Sequence, residues 1–309
     1  MLSCIAIGET IYDIIFRQGQ PVAARAGGSM LNTAVSLGRS GINTAMVTEL
    51  GDDLAGRLIL DFLDRNGVTT SCILPASGLK TPISLAFLDQ EGNAHYSFYK
   101  QYPENRLNVN WPDTDKGDIV LFGSFYSLDL AIREKIVTFI KKAKDNQGLI
   151  IYDPNIRKNH LDEIRNLMPL VEENIALADI VRGSDEDFMN LFGIENAGKI
   201  FERIKILGCP NLILTRGKNG AELFAKSLHC KIPAKEIHVL STIGAGDAFN
   251  AGIIFGLINK GYSVDDLVNI DLESWNDILG YGINFSAEVC KSYDNYIPVQ
   301  PDTEKNPQQ

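Results

Sequence analysis

The sequence predicts an α/β fold: a doubly wound, mainly parallel sheet with helices on both faces, and a small β-sheet lid. Two observations carry this prediction. Apolar strand-like runs alternate with amphipathic stretches over most of the 309 residues, the pattern of a parallel sheet covered by helices. Two segments, about 14–24 and 82–100, break that rhythm and read as additional β structure. With 45% hydrophobic residues the chain is ample for one large core, so residues 1–300 read as a single domain carrying the two insertions.

Cys4 to Gly8 reads as a buried first strand, and Ile14 to Ala24 alternates weakly around Gly19. Ser29 to Arg39 follows the Gly27-Gly28 pair, ends before Gly41, and sets Leu31, Ala34 and Leu37 at helical spacing. Thr44 to Leu50 is a strand stopping at Gly51. Leu54 to Asn66 places Leu58, Phe62 and Leu63 on one helical face, with Gly67 as C-cap. Pro82 to Tyr99 reads as a hairpin: Ile83 to Leu88, a turn at Glu91-Gly92-Asn93, then Tyr96 to Tyr99. The two irregular segments form either a small sheet suited to covering a site or ordinary edge strands of the main sheet. Ile119 to Phe122, Leu149 to Tyr152, Ile180-Val181 and Leu212 to Thr215 are further short strands separated by helical segments. An apolar helix-like run covers Ala251 to Ile258, and the polar tail 301–309 is expected to be disordered.

Composition narrows the function. The net charge of −10, with no cluster of Lys and Arg, argues against nucleic acid as a partner. No apolar run is long enough to span a bilayer, and Met1-Leu2-Ser3-Cys4 leads into strand-like sequence instead of a signal peptide, so no membrane partner and a cytoplasmic location are expected. The five cysteines, without pairing or CxxC spacing, read as reduced core thiols; the four histidines show no metal-ligand spacing.

Ser241 to Phe249 is the densest chemical signal. Gly244 and Gly246 let the backbone turn tightly and bring N–H groups to a ligand at a helix start, where unpaired donors and the macrodipole favour an anion. Asp247 would repel a phosphate unless it acted, for example as the general base for a hydroxyl. The plainer reading is a glycine-rich loop that starts a helix, with Asp247 as a first-turn acid. Asp13 lies just past the first strand, placed to bind a polyol or to cap a turn. Gly27-Gly28 with Asn32 one turn later resembles a phosphate loop, although GxGxxG and GxxxxGK[ST] are absent. Asp153-Pro154-Asn155-Ile156-Arg157 puts an acid, an amide and a guanidinium at a strand end. Ser184-Asp185-Glu186-Asp187 is an acidic helix start, either holding Mg²⁺ through water or simply solvated. Thr215 to Gly220 joins two strand-like segments, as a nucleotide contact or a plain hairpin.

Taken together and in this order, these pieces resemble the ribokinase-like (PfkB) carbohydrate kinases over residues 3 to 298. The strongest pieces are GGxxxNxAxxLxxxG at Gly27 to Gly41 and TxGAGDAF at Thr242 to Phe249. The resemblance implies transfer of the γ-phosphate of ATP to a sugar hydroxyl, with Mg²⁺. It makes Asp247 the base and Gly244, Ala245 and Gly246 the anion hole. Asp13, Gly27, Gly28, Asn32, Tyr99, Asn155 and Arg157 are implied on the sugar. Ser184, Thr215, Gly217, Gly220, Asn284 and Ala287 are implied along the nucleotide, and Asp187, through water, near the metal. Ser241 stands where the family often has aspartate, so the monovalent cation that this aspartate helps hold in several members is not carried over. Lid-to-lid pairing recurs among members, so a homodimer through the lid is an expectation that no residue pattern here carries.

Within the family, Tyr96-x-Phe98-Tyr99 and Asp153-x-Asn155-x-Arg157 look most like fructokinase members. A 2-keto-3-deoxygluconate kinase is the alternative, since Tyr99, Lys100 and Arg157 could meet a substrate carboxylate; ribokinase and nucleoside kinase follow. A non-catalytic sugar-binding protein on the same fold is the reading from another class, against which the retained Asp247 counts. A nicotinamide dehydrogenase fits poorly without GxGxxG.

Overall fold

The computed structural model describes residues 3–88, 94–102, 105–156, 161–226 and 228–299. The chain begins with β1 (Cys4–Ile7), β2 (Ile11–Arg17), β3 (Gln20–Gly27), α1 (Ser29–Arg39), β4 (Thr44–Val47), α2 (Leu54–Arg65) and β5 (Val68–Thr69). It continues through β6 (Lys80–Leu88), β7 (Ala94–Gln101), β8 (Ile119–Gly123), α3 (Arg133–Asp145), β9 (Leu149–Asp153), α4 (Leu161–Leu177), β10 (Ile180–Ser184) and α5 (Asp185–Phe192). It closes with α6 (Ala197–Ile206), β11 (Asn211–Thr215), β12 (Ala221–Ala225), β13 (Leu228–Ile232), α7 (Ala245–Asn259) and α8 (Leu272–Cys290).

Nine strands form one sheet in the order β13-β12-β11-β10-β9-β8-β1-β4-β5. The pairs from β5 to β11 are parallel, and β12 and β13 add an antiparallel edge. Successive side chains of a strand point to opposite faces, and both faces here are buried. Cys4 and Ala6 of β1 therefore join a core with α1, α2, α7 and α8. Ile5 and Ile7 join a second core with α3, α4, α5 and α6.

The two irregular segments do not extend the main sheet. They form a separate four-stranded sheet, β3-β2-β6-β7, broader than the sequence suggests at both ends. β2 and β3 form one antiparallel hairpin, β6 and β7 the other, and parallel pairing of β2 with β6, from Tyr12↔Ile83 to Arg17↔Leu88, joins them. The predicted turn at 91–93 and the tail 301–309 lie outside the described residues.

Two sequence expectations need correction. β4 ends at Val47 instead of Leu50, because its partner β1 ends at Ile7; Leu50 is still buried, but its carbonyl accepts the Ala76 N–H at 2.9 Å instead of joining the ladder. The buried stripe of α2 is Gly56, Ile59 and Leu63, while Leu58 is 47% exposed. The N-cap Asp53 sets that phase, since its carboxylate accepts N–H bonds from Gly56 and from Thr81 of β6. α7 is apolar nearly all round and correspondingly buried, packed between α1 and α8. Gly252 allows the close approach: a Cβ there would lie 2.4 Å from the Tyr281 carbonyl oxygen of α8.

Candidate active site

The chemical residues gather at the carboxyl ends of the parallel strands, where α1 and α7 begin. Gly244 is the N-cap of α7, with φ 79°, and a Cβ there would meet the Asn295 carbonyl oxygen at 2.4 Å, so both conformation and space call for glycine. The Ala245 N–H closes a turn on the Thr242 carbonyl at 3.2 Å. Ser241 Oγ accepts the Ile243 N–H at 3.2 Å just ahead of the glycines. Asp247, in the first turn, is 9% exposed. Its carboxylate accepts from Ser29 Oγ at 2.7 Å and from Asn32 Nδ2 at 2.8 Å, while Thr33 Oγ1 donates to its carbonyl at 3.0 Å. All three donors come from α1, so the positive ends of two helices converge on one carboxylate. Asn32 Oδ1 is buried with no hydrogen-bond partner among the described residues.

The Gly27-Gly28 pair closes the other side. A Cβ on Gly27 would fall 2.3 Å from Asp13 Oδ2, and one on Gly28 (φ 124°) would fall 2.3 Å from the Glu9 carbonyl. Asp13 thus belongs to β2 of the small sheet, where Ser84 Oγ of β6 donates to it, and is not a loop acid of the main sheet. Tyr99, on β7 of the same sheet, is 62% exposed. Glu9 accepts from Lys100 Nζ at 2.6 Å and from the Tyr102 hydroxyl. The Arg106 guanidinium lies 3.5 Å from the Tyr102 ring centroid and pairs with buried Glu49 at 2.8 Å and with Asp129 at 2.7 Å. Burial, reinforced chiefly by Glu9 at Tyr102 and by Glu49 at Tyr126, raises both hydroxyls above the ordinary phenol range, so both remain donors.

Beneath the α7 loop, Asp153 at the end of β9 is fully buried. It accepts from Arg182 Nη1 at 2.9 Å, Asn250 Nδ2 at 2.6 Å and the Asn155 N–H at 3.1 Å, which holds Asn155 at φ 42°. Burial pushes the Asp153 carboxyl up, with Arg182 the largest opposing influence. Asp187 is also raised, by burial and then by the Asp153 charge. Its Oδ1 accepts the Ile156 N–H at 2.7 Å, and its Oδ2 accepts the Ser184 N–H at 2.7 Å and Oγ at 2.6 Å. Ser184 and Asp187 thus form the capping box of α5. No group of three or more His, Cys, Asp or Glu side chains among the described residues is disposed to hold a metal ion.

Thr215 Oγ1, ending β11, accepts from Arg182 Nη2 at 2.9 Å, and Gly217 and Gly220 shape the turn into β12. Ser286 Oγ of α8 donates to the Ala245 carbonyl at 2.9 Å, bringing α8 to the same loop. Close by, Asn284 is exposed and Ala287 is buried. Arg157 lies outside the described residues.

A glycine-shaped anion loop, a carboxylate held in its first turn and a polyol-type acid on a covering sheet fit phosphoryl transfer to a hydroxyl. The model of the pfkB family carbohydrate kinases matches residues 1–292. The chain belongs to that family. A fructokinase from Rhizobium leguminosarum bv. trifolii is 29% identical to this kinase over 262 residues, 82% of this chain and 79% of the relative. The structure of a fructokinase from Vibrio cholerae O395, in its fructose-, ADP- and calcium-bound form, superposes with a TM-score of 0.81 at 21% identity, covering 96% of this chain and 94% of that one. The aminoimidazole riboside kinase from Salmonella enterica, solved with aminoimidazole riboside and an ATP analog, gives a TM-score of 0.79 at 21% identity over 95% of both chains. The ribokinase-like fold of the kinase is thus shared with these proteins.

Sequence reasoning passed over Ser29, Ser84, Arg182 and Asn250. Ser29 sits inside the glycine motif, but its partner is 218 residues away. Arg182 carried a usable signal, a charge directly following the apolar pair Ile180-Val181. Among the described residues no helix is long and apolar enough to cross a membrane.

Proposed function

We propose that this carbohydrate kinase transfers the γ-phosphate of ATP to a hydroxyl of a neutral sugar, fructose foremost, with Asp247 as general base. The observation that carries the reading is the Asp247 carboxylate, buried in the first turn of α7 and held by two neutral donors beside Gly244 and Gly246. The sugar oxygen forms its bond to the γ-phosphorus as the bond to the bridging oxygen breaks and ADP leaves. Asp247 takes the hydroxyl proton. First-turn amides have no partner four residues back in their helix. With Ala245 N–H turned to Thr242, the donors of the anion hole come from Gly244, Gly246 and Asp247. Mg²⁺ typically keeps several waters and binds through phosphates and one or two carboxylates, so it would arrive with the nucleotide and neutralise phosphate charge. Asp187, its oxygens engaged in the α5 cap, would meet it through water. In this reading the small sheet, which carries Asp13 and Tyr99, is the lid that excludes water during transfer.

Charge supports a neutral sugar over 2-keto-3-deoxygluconate. Lys100, one of the two cations expected to meet a substrate carboxylate, is paired with Glu9 at 2.6 Å, and the other, Arg157, lies outside the described residues. Asp13 and Asp247 would repel an acidic substrate. The likeness to aminoimidazole riboside kinase supports a riboside as the second reading. A coupled ADP-release assay across fructose, ribose, aminoimidazole riboside and 2-keto-3-deoxygluconate tests the choice. Fructose should give the highest kcat/KM; a clear preference for the acid sugar overturns the charge argument, and no sugar-dependent ATP turnover at all overturns the kinase mechanism.

A further inference from the structure

Arg182 has no part in the mechanism above, yet it stands directly beneath its anion loop. Its side chain is 8% exposed, in the middle of a strand that begins with the apolar Ile180-Val181. One nitrogen of the fork reaches Asp153 at 2.9 Å and another reaches Thr215 Oγ1 at 2.9 Å. The guanidinium carbon is 5.4 Å from the Phe249 ring centroid of α7. A Cβ on Gly246 would lie 3.1 Å from both Nη1 and Nη2, so the guanidinium touches the space under that residue. A single side chain from β10 therefore spans the ends of β9 and β11 and lies under the first turn of α7.

This placement is poor if stability were its purpose. A cation under a helix N-terminus faces the positive end of the macrodipole. Arg182 Nε is buried and finds no hydrogen-bond partner among the described residues, so the charge is incompletely satisfied. Replacing a buried ion pair by apolar residues is often neutral or stabilising. What the arrangement does provide is rigidity. Asn250 of α7 binds the same Asp153 oxygen at 2.6 Å, and residues 246 and 250 lie on one face of the helix. Arg182 and Asn250 thus fasten that face to the sheet at successive turns. Asp247, next to Gly246, is directed toward Ser29 and Asn32 of α1.

We propose that Arg182 is a positioning residue for phosphoryl transfer: fixed to Asp153 and Thr215 beneath Gly246, it sets the height and rotation of the first turn of α7, and so the aim of Asp247 and the neighbouring amides. The inference rests on the reading of Asp247 as the base. A purely structural Arg182 would serve only to neutralise Asp153, and removing both charges together separates the two roles.

The test uses the full chain and compares Arg182→Met, Arg182→Lys and the double variant Arg182→Met/Asp153→Asn, reading kcat and KM for sugar and ATP alongside thermal unfolding. A misplacement of this kind should lower the kcat of Arg182→Met about 30- to 100-fold with each KM within about threefold. Arg182→Lys keeps the charge but not the fork, and should regain about tenfold of that loss. The double variant should return to within about 3 °C of the parental midpoint while kcat stays at least about tenfold low. A double variant with parental kcat, or Arg182→Met within about threefold of the parent, overturns the inference. If Arg182→Met does not fold, the double variant and Arg182→Lys decide. Asp247→Asn is assayed in parallel: near-parental turnover there breaks the base assignment itself, whereas an inactive Asp247→Asn beside a fully active double variant removes only the role of Arg182.

Discussion

The two walls of the proposed sugar site are built from different material. On the body side, Asp247 is buried between the starts of α1 and α7, and the network around Asp153 beneath it is buried too. On the small-sheet side, Asp13 is half-buried with Ser84 as its support, and Tyr99 is 62% exposed. On the proposed reading, the body fixes a proton acceptor and an anion loop against a close-packed interior, where small displacements are resisted. On that reading, the small sheet offers its hydroxyl-binding groups from four strands that hydrogen-bond in a sheet of their own. Changes to the first wall should therefore fall mainly on kcat, and changes to the second on KM.

The largest expected effect tests the body. Asp247→Asn should lower kcat about 1,000-fold, within the usual contribution of a general base, while calorimetry shows sugar affinity within about threefold of the parent. Near-parental turnover would show that the buried wall does not hold the chemistry. Ser29→Ala removes one of the described donors to that carboxylate and should lower kcat about tenfold, as expected for one hydrogen bond to a charged group, with KM moving less. A rise in KM at constant kcat would place Ser29 with the sugar and blur the contrast. Smallest is Ser84→Ala, which leaves Asp13 without its support from β6 and should raise the sugar KM about threefold at unchanged kcat. If instead kcat fell and KM held, the division between walls would fail.

Much of the fold is legible in the sequence, because alternating apolar runs and their glycine stops report strand and helix ends directly. The Gly27-Gly28 and Gly244-Gly246 positions are legible for a stricter reason: a Cβ on Gly27, Gly28 or Gly244 meets other atoms at 2.4 Å or less. The separation of the small sheet from the main one is not legible, since it depends on the pairing of β2 with β6, which no local pattern encodes. The α2 face was misread because its phase is set by Asp53 bonding across to Thr81, outside the helix itself. Ser29, Arg182 and Asn250 escaped notice for a related reason. Serine, arginine and asparagine are ordinary residues locally, and their meaning comes from partners 218, 29 and 97 positions away.

The β2–β6 pairing has a consequence for the life of the chain. Tyr12 and Ile83 are neighbours across 71 residues of sequence, so neither hairpin can complete the small sheet until α1 to β5 have been brought into place. A two-stranded ribbon alone is marginal in water, and closing so long a loop is slow. A sheet joined by so distant a pairing is expected to assemble late and to open early, which slow protection and fast hydrogen exchange of the β2 and β6 amides would report.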